Sequence, residues 1–363
     1  MGQDKITAAI LFGGVSSEYE VSLQSAFSVI ENINRDKYEP LLIGITREGR
    51  WLLYTGPADR IPQDRWCDPA WTVPAFLSPD QSVHGLVILH KEDGAGTAFR
   101  HIDVVFPVLH GKNGEDGTIQ GLLQLAGIPF VGSGVLSCAA AMDKEITHIL
   151  LESAGIRTAP WRTVHREDLR RLPLLARELG EALGYPIFVK PANAGSSVGI
   201  SKVKTPDQLG PALELAFRHD SKVLAERAIS SPIEVETAVL GNPDSGITVS
   251  MPGEVVPCNE FYDYNAKYID NASQLYIPAR LEPELSERVR AIADRAYRLL
   301  GCRGLCRIDF LISRDSGEIF LNEPNALPGF TSISMYPKLM MDSGMSYPEL
   351  IDALLRLALE AAG

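Results

Sequence analysis

The feature that most constrains this chain is a predicted β-hairpin near its C-terminus that sets acidic side chains on one face. Two strand-like runs, Leu305–Ser313 and Glu318–Glu323, flank the turn-rich sequence SRDSG. Side chains of a strand alternate between the two faces of a sheet. A turn centred near Ser316 therefore sets Asp309 directly opposite Glu323, with both carboxylates on the same face.

The polar side chains of this hairpin have the composition of a metal site. The same register sets Arg307 opposite Asn325, so a guanidinium and a carboxamide join the two carboxylates. Facing carboxylates repel each other unless a cation lies between them. Mg²⁺ prefers such oxygen ligands together with substrate phosphates. The pattern indicates a Mg-nucleotide site. The alternative is an exposed hairpin, in which Ile319, Leu321 and Glu323 share one face of a half-buried strand.

Length and charge exclude several classes of protein. A chain of 363 residues is long enough for two or three domains, and its formal charge of −12 argues against a surface for nucleic acid or anionic membranes. The five cysteines lack the paired spacing of a zinc site, and Cys302 and Cys306 are expected to be buried. The N-terminus does not read as a signal peptide and no run has the length of a membrane span, so we expect a cytoplasmic protein.

The first third of the chain predicts an open, mostly parallel α/β sheet. A buried strand at 6–12 precedes a helix at about 21–33 and a strand at 41–46, which together form a β-α-β unit. Residues 101–111 form another strand that leads into a Gly-rich loop and a helix. Residues 55–100 contain many Pro, Asp and Gly and are predicted to be loops with one short strand.

A small α+β module follows, with a glycine-rich loop at its centre. Lys190 ends an apolar strand and precedes the loop NAGSSVG, where small residues allow backbone N–H groups to approach an anion. A phosphate-binding loop is the favoured interpretation, and an ordinary hairpin turn is the alternative. Further along, residues 260–279 are rich in Tyr and Phe without strand or helix periodicity, which favours a lid over a ligand.

Several other polar residues fit ordinary structural roles as well as functional ones. Glu18 and the two serines before it fit the cap of a helix, and Lys144 near a helix start fits a solvated side chain. Glu226 and Glu234 fit surface positions. His110 lies in a Gly-rich loop after a strand, where ligands often bind in α/β sheets, but it also fits a structural role.

Taken in order, these segments resemble the D-alanine–D-alanine ligases of the ATP-grasp superfamily, over about residues 6 to 360. The resemblance implies a mixed α/β and α+β fold of three domains, at 1–141, 142–235 and 236–363, with ATP between the last two. The motifs that carry it are LFGGVSSEYEVS, LHGKNGEDGTIQGLLQLAGIPFVG, MDKEIT, FVKPANAGSSVGISKV, FYDYNAKY, RIDFL and LNEPNALPGFTSISMYPKL.

The resemblance implies a set of residues that bind ATP and its metal ions. Lys144 and Lys190 are expected to contact the phosphates, with Ser197 in a flexible loop above them. Glu226 is expected to contact the adenine and Glu234 the ribose.

The metal ions are expected on three oxygen ligands. Asp309, Glu323 and Asn325 would hold two Mg²⁺ ions, which Mn²⁺ can replace.

A second implied set binds two molecules of D-alanine. Glu18 is expected to meet the ammonium of the first D-alanine, with His110 nearby. Arg307 and the backbone N–H of Gly329 are expected to form the oxyanion site. Ser334 and Lys267 are expected to contact the carboxylate of the second D-alanine. Tyr268, Ser196 and Glu18 are expected to form a hydrogen-bonded latch that closes the lid.

The activity implied is ATP-dependent formation of D-alanyl-D-alanine through an acyl phosphate for peptidoglycan precursors, by a homodimer. The alternatives are a ligase that forms D-Ala-D-lactate or D-Ala-D-serine, another ATP-grasp ligase, and an inactive nucleotide-binding regulator. Tyr268 stands where lactate-forming relatives usually have His, which favours the dipeptide. Pro324 and Ala326 depart from the commonest family pattern. Pro324 is expected to face away from the metals, and Ala326 lacks the hydroxyl that many members have there.

Overall fold

The computed structural model describes residues 5–90, 96–195, 198–257 and 274–361 of the chain. Within these ranges, three β-sheets succeed one another along the sequence. Among the helices of the same ranges, none combines the length and apolar character that a bilayer crossing requires.

The N-terminal sheet contains the predicted β-α-β unit. Its first strand pairs in parallel with the second and with the seventh, which confirms that prediction. The strands are β1 (Ile6–Gly13), β2 (Tyr38–Ile45), β3 (Trp51–Tyr54), β4 (Thr72–Leu77), β5 (Gly85–Leu89), β6 (Thr97–His101) and β7 (Val104–Pro107), in the spatial order β6-β5-β4-β3-β2-β1-β7. The helices are α1 (Tyr19–Asn32), α2 (Thr118–Ala126) and α3 (Val135–Met142).

The other half of this sheet is antiparallel, so the prediction of a mostly parallel sheet is wrong there. Strands β3 to β6 form an antiparallel meander on the edge at β2. The one short strand predicted within residues 55–100 is present as β5, but β4 and most of β6 form where loops were predicted. Antiparallel neighbours need only short turns between them, so Pro and Gly at close intervals are compatible with strands as well as loops.

The central sheet is a small antiparallel one covered by two helices. Its strands are β8 (Trp161–His165), β9 (Ile187–Pro191), β10 (Ser201–Val203) and β11 (Lys222–Arg227), in the order β10-β9-β11-β8. Helix α4 (Lys144–Ser153) precedes it, and α5 (Leu172–Leu183) and α6 (Leu209–Ala216) pack on it through an aliphatic core. Short 3₁₀ turns at 166–171 and 206–208 come directly before α5 and α6.

The third sheet is antiparallel and carries the predicted hairpin. Its strands are β12 (Pro232–Asn242), β13 (Gly246–Val249), β14 (Gly253–Val256), β15 (Gln274–Tyr276), β16 (Gly304–Ser313) and β17 (Ile319–Asn325). The helices of this part are α7 (Pro283–Leu299), α8 (Met335–Asp342) and α9 (Tyr347–Glu360). The division of the chain into three domains remains a prediction, and the third sheet begins inside the range predicted for the central domain.

The hairpin has the predicted register at its polar end and a different one near the turn. Asp309 pairs with Glu323 as predicted, but Phe310 pairs with Leu321, so Asn322 is an extra residue on β17. This β-bulge moves Leu321 to the face opposite Glu323, where it packs in the core of the third sheet. The alternative that placed Leu321 and Glu323 on one face is therefore wrong.

The N-terminal sheet and the C-terminal helices share one hydrophobic core. Phe330 lies at its centre, with ring centroids 5.4 Å from Phe106, 5.8 Å from Tyr336 and 6.3 Å from Tyr347. These contacts join β7 to the segment around α8 and α9. The N-terminal sheet is thereby fixed against the part of the chain that contains the hairpin.

We expect Phe330→Ala to lower the free energy of unfolding by about 3–5 kcal/mol, because it leaves a cavity in this shared core. Phe99→Ala is the matched control, since Phe99 is 64% exposed and Phe330 only 1%. Denaturant unfolding followed by fluorescence and circular dichroism measures both variants. Equal midpoints for the two would contradict a central role for Phe330.

Candidate active site

Two adjoining cavities lie where the three parts of the chain meet. The intersheet cavity, between the central and third sheets, is lined by residues that include Lys190, Glu226, Glu234 and Asp309. The N-terminal cavity is lined by residues that include Glu18, His110, Arg307, Gly329 and Ser334. Both cavities are lined by Lys144, Glu236 and Glu323, so these three side chains mark the junction. Sequence prediction named two of the three and missed Glu236.

Three carboxylates form a row across neighbouring strands at this junction. Glu236 of β12 pairs with Asp309 of β16, and Asp309 pairs in turn with Glu323 of β17. Directly paired residues project from the same face of a sheet, so the three side chains lie side by side. Glu236 and Asp309 are buried. Such a row is stable only if cations offset the mutual repulsion of its charges.

Arg307 supplies much of that compensation. Its Nε donates a hydrogen bond to Oδ1 of Asp309 and its terminal nitrogen donates one to Oδ2, both at 2.7 Å. The same Nε lies 2.8 Å from a carboxylate oxygen of Glu236. The amide of Asn325 donates a further hydrogen bond to Asp309 at 3.1 Å. The predicted juxtaposition of Arg307 with Asn325 and Asp309 is therefore present.

The donor set fits a divalent cation in type but not yet in arrangement. Asp309, Glu323 and Asn325 offer the hard oxygen atoms that Mg²⁺ prefers. In this structure both oxygens of Asp309 accept hydrogen bonds from Arg307. Within the described part of the chain, no group of three His, Cys, Asp or Glu side chains is already arranged to hold a metal ion. A cation bound to Asp309 would therefore lie beside the Arg307 guanidinium, whose charge opposes its binding.

Lys190 and Glu226 form a buried pair at the wall of the intersheet cavity. Lys190 Nζ donates to Oε2 of Glu226 at 2.5 Å, and Nε2 of His148 lies 3.0 Å from Oε1. Burial would raise the pKa of the Glu226 carboxyl, but the Lys190 charge and the hydrogen bonds from His148 and Lys190 hold that pKa well below its usual range. Glu226 is only 4% exposed, so the surface interpretation of this residue is wrong.

Lys144 lies at the start of α4 and points into the junction. Its Nζ donates to the carbonyl oxygen of Ala194 at 2.9 Å and lies 3.7 Å from Glu323. The side chain is 12% exposed, so the interpretation as a solvated lysine is also wrong. Asp143 before it caps the helix and forms an ion pair with Lys222 at 2.8 Å. This pair fixes the start of α4 against β11.

Glu18 lies in a slot between two loops. A Cβ atom on Gly111 would come within 2.5 Å of a Glu18 oxygen, and one on Gly195 within 2.8 Å. Gly111 also has a φ of +67°, which disfavours other residues there. Glu18 occupies the N-cap position of α1, but its side chain makes no capping hydrogen bond. The capping interpretation is therefore wrong for the Glu18 side chain, whose carboxylate lines the N-terminal cavity, whereas the Ser16 hydroxyl does accept a hydrogen bond from the backbone N–H of Glu18 at 3.1 Å.

His110 is tied to the segment that follows the hairpin. Its Nε2 lies 3.1 Å from the hydroxyl of Ser25, which also accepts a hydrogen bond from the backbone N–H of Phe330 at 3.1 Å. Just beside Phe330, a Cβ on Gly329 would come within 2.9 Å of the Ser334 hydroxyl. The predicted residues His110, Gly329 and Ser334 are thus brought to one cavity by contacts through α1.

The residues that depart from the family pattern lie clear of the carboxylate row. Pro324 pairs with Ile308, whose side chain is in the core of the third sheet, so it faces away from Asp309 as expected. Ala326 is buried in a small apolar cluster with Cys138 and Ala141. An apolar residue is well suited to that position.

Sequence reasoning did not identify three residues that organise the site. Glu236 is the outer member of the carboxylate row, Ser25 links two loops, and His148 contacts Glu226. A signal for Ser25 was available, since it shares the apolar face of α1 with Ser22 and both are fully buried. Four predicted residues, Ser196, Ser197, Lys267 and Tyr268, lie outside the described residues, as does most of the predicted lid at 260–279.

Comparisons with known proteins identify one family for the whole chain. Residues 7–133 match the family model described as D-ala D-ala ligase N-terminus, and residues 150–356 match the one described as D-ala D-ala ligase C-terminus. A D-alanine–D-alanine ligase of Caldicellulosiruptor bescii is 49% identical over 360 residues, which are 98% of this chain and 96% of that protein. One from Acetivibrio thermocellus is 48% identical over 366 residues, with the same coverage of 98% and 96%.

Solved structures of ligases are similar to this chain over nearly its whole length. The VanG D-Ala:D-Ser ligase of Enterococcus faecalis superposes with a TM-score of 0.88 at 42% identity, covering 98% of this chain and 100% of that one. The D-alanine-D-alanine ligase of Coxiella burnetii superposes with a TM-score of 0.85 at 30% identity, covering 99% and 95%.

We expect Glu226→Gln to destabilise the protein by about 3–5 kcal/mol at neutral pH, because it leaves Lys190 buried without its counter-charge. The pKa of Glu226 is lower in the folded state, so its stabilising effect is complete above the unfolded value of about 4.3 and decreases as the pH falls below it. The difference from the wild type, measured by denaturant unfolding from pH 7 to pH 3, should therefore shrink on acidification. Glu39→Gln, at a solvent-exposed pair with Arg100, is the control. A difference that stays constant with pH would contradict the assignment.

Proposed function

The chain belongs to the D-alanine–D-alanine ligase family, and from this premise we propose that it joins two D-alanine molecules into D-alanyl-D-alanine for peptidoglycan precursor synthesis. It is an ATP-dependent, ADP-forming ligase. The observation that best supports the proposed site is the junction of two cavities at Lys144, Glu236 and Glu323. A phosphate group extending from one cavity would there meet a carboxylate held in the other.

We assign the intersheet cavity to ATP. Lys144 and Lys190 are proposed to contact its phosphates, Glu226 the adenine and Glu234 the ribose. The geometry supports this assignment, because all four line the same cavity. Both lysines contact carboxylates in this structure, and phosphate would take over the role of those partners. Ser197 is retained as a proposed phosphate contact in the loop above.

Asp309, Glu323 and Asn325 are proposed to hold two Mg²⁺ ions, with Mn²⁺ as a substitute. When bound, such ions would neutralise phosphate charge and orient the phosphoryl group. The oxygen donors fit this use, and the Arg307 guanidinium that pairs with Asp309 would compete with the metal ions for its charge. The charge of −12 on the chain makes such local cations necessary for binding ATP.

We assign the N-terminal cavity to the two D-alanines. The carboxylate oxygen of the first attacks the γ-phosphorus of ATP, the bond to ADP breaks, and an acyl phosphate forms. The amine of the second then attacks the acyl carbon, phosphate leaves, and the nitrogen loses a proton. Glu18 is proposed to bind the first ammonium, with His110 beside it, and Ser334 with Lys267 to bind the second carboxylate.

The tetrahedral oxyanion of the second step requires hydrogen-bond donors. Arg307 and the backbone N–H of Gly329 are proposed for this purpose, and both line the N-terminal cavity. An acyl phosphate hydrolyses in water, so a segment that covers the site and excludes water would protect this intermediate. Residues 260–279, with Tyr268 latched to Ser196 and Glu18, are proposed to form it.

We further propose a cytoplasmic homodimer. The family resemblance supports both features. Of the cysteines in the described part of the chain, none forms a disulfide, which is consistent with a reducing compartment.

We expect Glu323→Gln to lower the rate of ADP formation from ATP and D-alanine by roughly 100-fold or more, because it keeps the shape but removes a metal ligand's charge. Glu318→Gln is the matched control on the same hairpin, where Glu318 pairs with Arg157 at the surface. A coupled assay for ADP measures the rate, and circular dichroism verifies the fold. Near-normal turnover by Glu323→Gln would refute the metal assignment.

A second candidate product, D-alanyl-D-serine, is favoured by the similarity to the VanG ligase. A pocket seldom rejects an added hydroxyl by more than about 100-fold, so some use of D-serine is expected. D-lactate should be essentially unused at pH 7, because Tyr268 stays neutral there whereas a His can carry charge.

We expect D-alanyl-D-alanine to predominate when the enzyme receives ATP, Mg²⁺ and equimolar D-alanine, D-serine and D-lactate. Mass spectrometry of the products at pH 7 decides the matter. A dominant mixed D-Ala-D-Ser peak would replace the proposed product with the second candidate. A dominant depsipeptide would show that Tyr268 does not set the specificity assigned to it.

A further inference from the structure

We propose that Glu236 is a positioning residue that takes over the Arg307 guanidinium when a divalent cation binds Asp309. The inference rests on the proposed metal site and adds a residue to which neither the resemblance nor the comparisons assign a role. Glu236 is 7% exposed and lines both cavities at their junction.

The geometry around Arg307 is that of one cation shared unequally between two carboxylates. Its Nε and its terminal nitrogen both donate to Asp309 at 2.7 Å. The Nε also lies 2.8 Å from an oxygen of Glu236, directly across the β12–β16 pairing from Asp309. Nε carries a single hydrogen, and that hydrogen is used by Asp309. The contact with Glu236 is therefore an ion pair that can become a hydrogen bond after a small rotation.

A guanidinium and a metal ion on Asp309 would compete for the charge of one carboxylate. Both of its oxygens accept from Arg307 and Oδ2 also accepts from Asn325, so a cation bound at the remaining lone pair of Oδ1 would lie beside the guanidinium and be repelled by it. A buried guanidinium that lost its counter-charge would be costly. Glu236 lowers that cost, because a second carboxylate is already within 2.8 Å. Arg307 then exchanges partners without leaving the site.

Glu236 would also keep Arg307 beside the N-terminal cavity. Arg307 and Gly329 line the N-terminal cavity, where the proposed oxyanion forms. A guanidinium held by Glu236 stays at the border of that cavity, near the position of the proposed oxyanion. Glu236 thus connects metal binding in one cavity to a hydrogen-bond donor in the other.

The test measures metal binding without turnover. Mn²⁺ is titrated into enzyme loaded with ADP, without D-alanine, and free Mn²⁺ is followed by electron paramagnetic resonance. For Glu236→Gln we expect the dissociation constant of Mn²⁺ to rise about tenfold, because Asp309 then keeps Arg307 more firmly. Glu254→Gln is the matched control, since Glu254 is a buried carboxylate on β14 that pairs with Arg280 at 2.7 Å. It should bind Mn²⁺ as the wild type does, and thermal unfolding verifies that both variants fold.

A double-mutant cycle separates positioning from a direct charge effect. Arg307→Gln removes the competing guanidinium, so Mn²⁺ should bind more tightly, and adding Glu236→Gln in that background should change little. An equal loss of affinity in both backgrounds would show that Glu236 acts through its own charge and would overturn the proposal, as would wild-type binding by Glu236→Gln. Failure of the wild type to form ADP from ATP and D-alanine would instead refute the proposed function itself.

Discussion

The alignment of Glu236, Asp309 and Glu323 on three neighbouring antiparallel strands is the constraint on which the rest of the site depends. Paired strands place these carboxylates within a few ångströms of one another, where their charges repel. Arg307 from the same sheet and Lys144 from α4 approach this row and offset part of its charge. Because Lys144 comes from the segment before the central sheet, the same electrostatic demand also holds two parts of the chain together.

The cations proposed to act on phosphate or oxyanion each contact a carboxylate in this structure. Lys144 lies near Glu323, Lys190 pairs with Glu226, and Arg307 pairs with Asp309. Binding of ATP and metal would therefore replace the carboxylate partner of each cation with another negatively charged group, instead of burying a new charge without a partner. An acidic chain could bind a nucleotide in this way, because the lysines and Arg307 at the site provide local positive charge that would offset the charge of the phosphates.

Buried polar groups outside the carboxylate row connect the N-terminal cavity to the scaffold. Ser25 of α1 links His110 to the backbone of Phe330, and Phe330 anchors the shared core of the N-terminal sheet and the C-terminal helices. A displacement of α1 would therefore move His110 and the segment that contains Gly329 together. The site is built across elements far apart in sequence, and the geometry of the N-terminal cavity depends on the core that the N-terminal sheet shares with the C-terminal helices.

The sequence by itself determined the elements with strong local periodicity, including the β-α-β unit and the opposition of Asp309 to Glu323 across the hairpin. It did not determine the bulge at Asn322, the antiparallel meander within 55–100, or which charged residues are buried. Periodicity reports which side chains of one element share a face, and a turn fixes the register between adjacent strands. The burial of Glu18, Lys144 and Glu226, and the position of Glu236 beside Arg307, depend on partners from distant segments such as Gly111 and Ala194. Only tertiary packing brings those partners into contact, so only the folded structure decided these features.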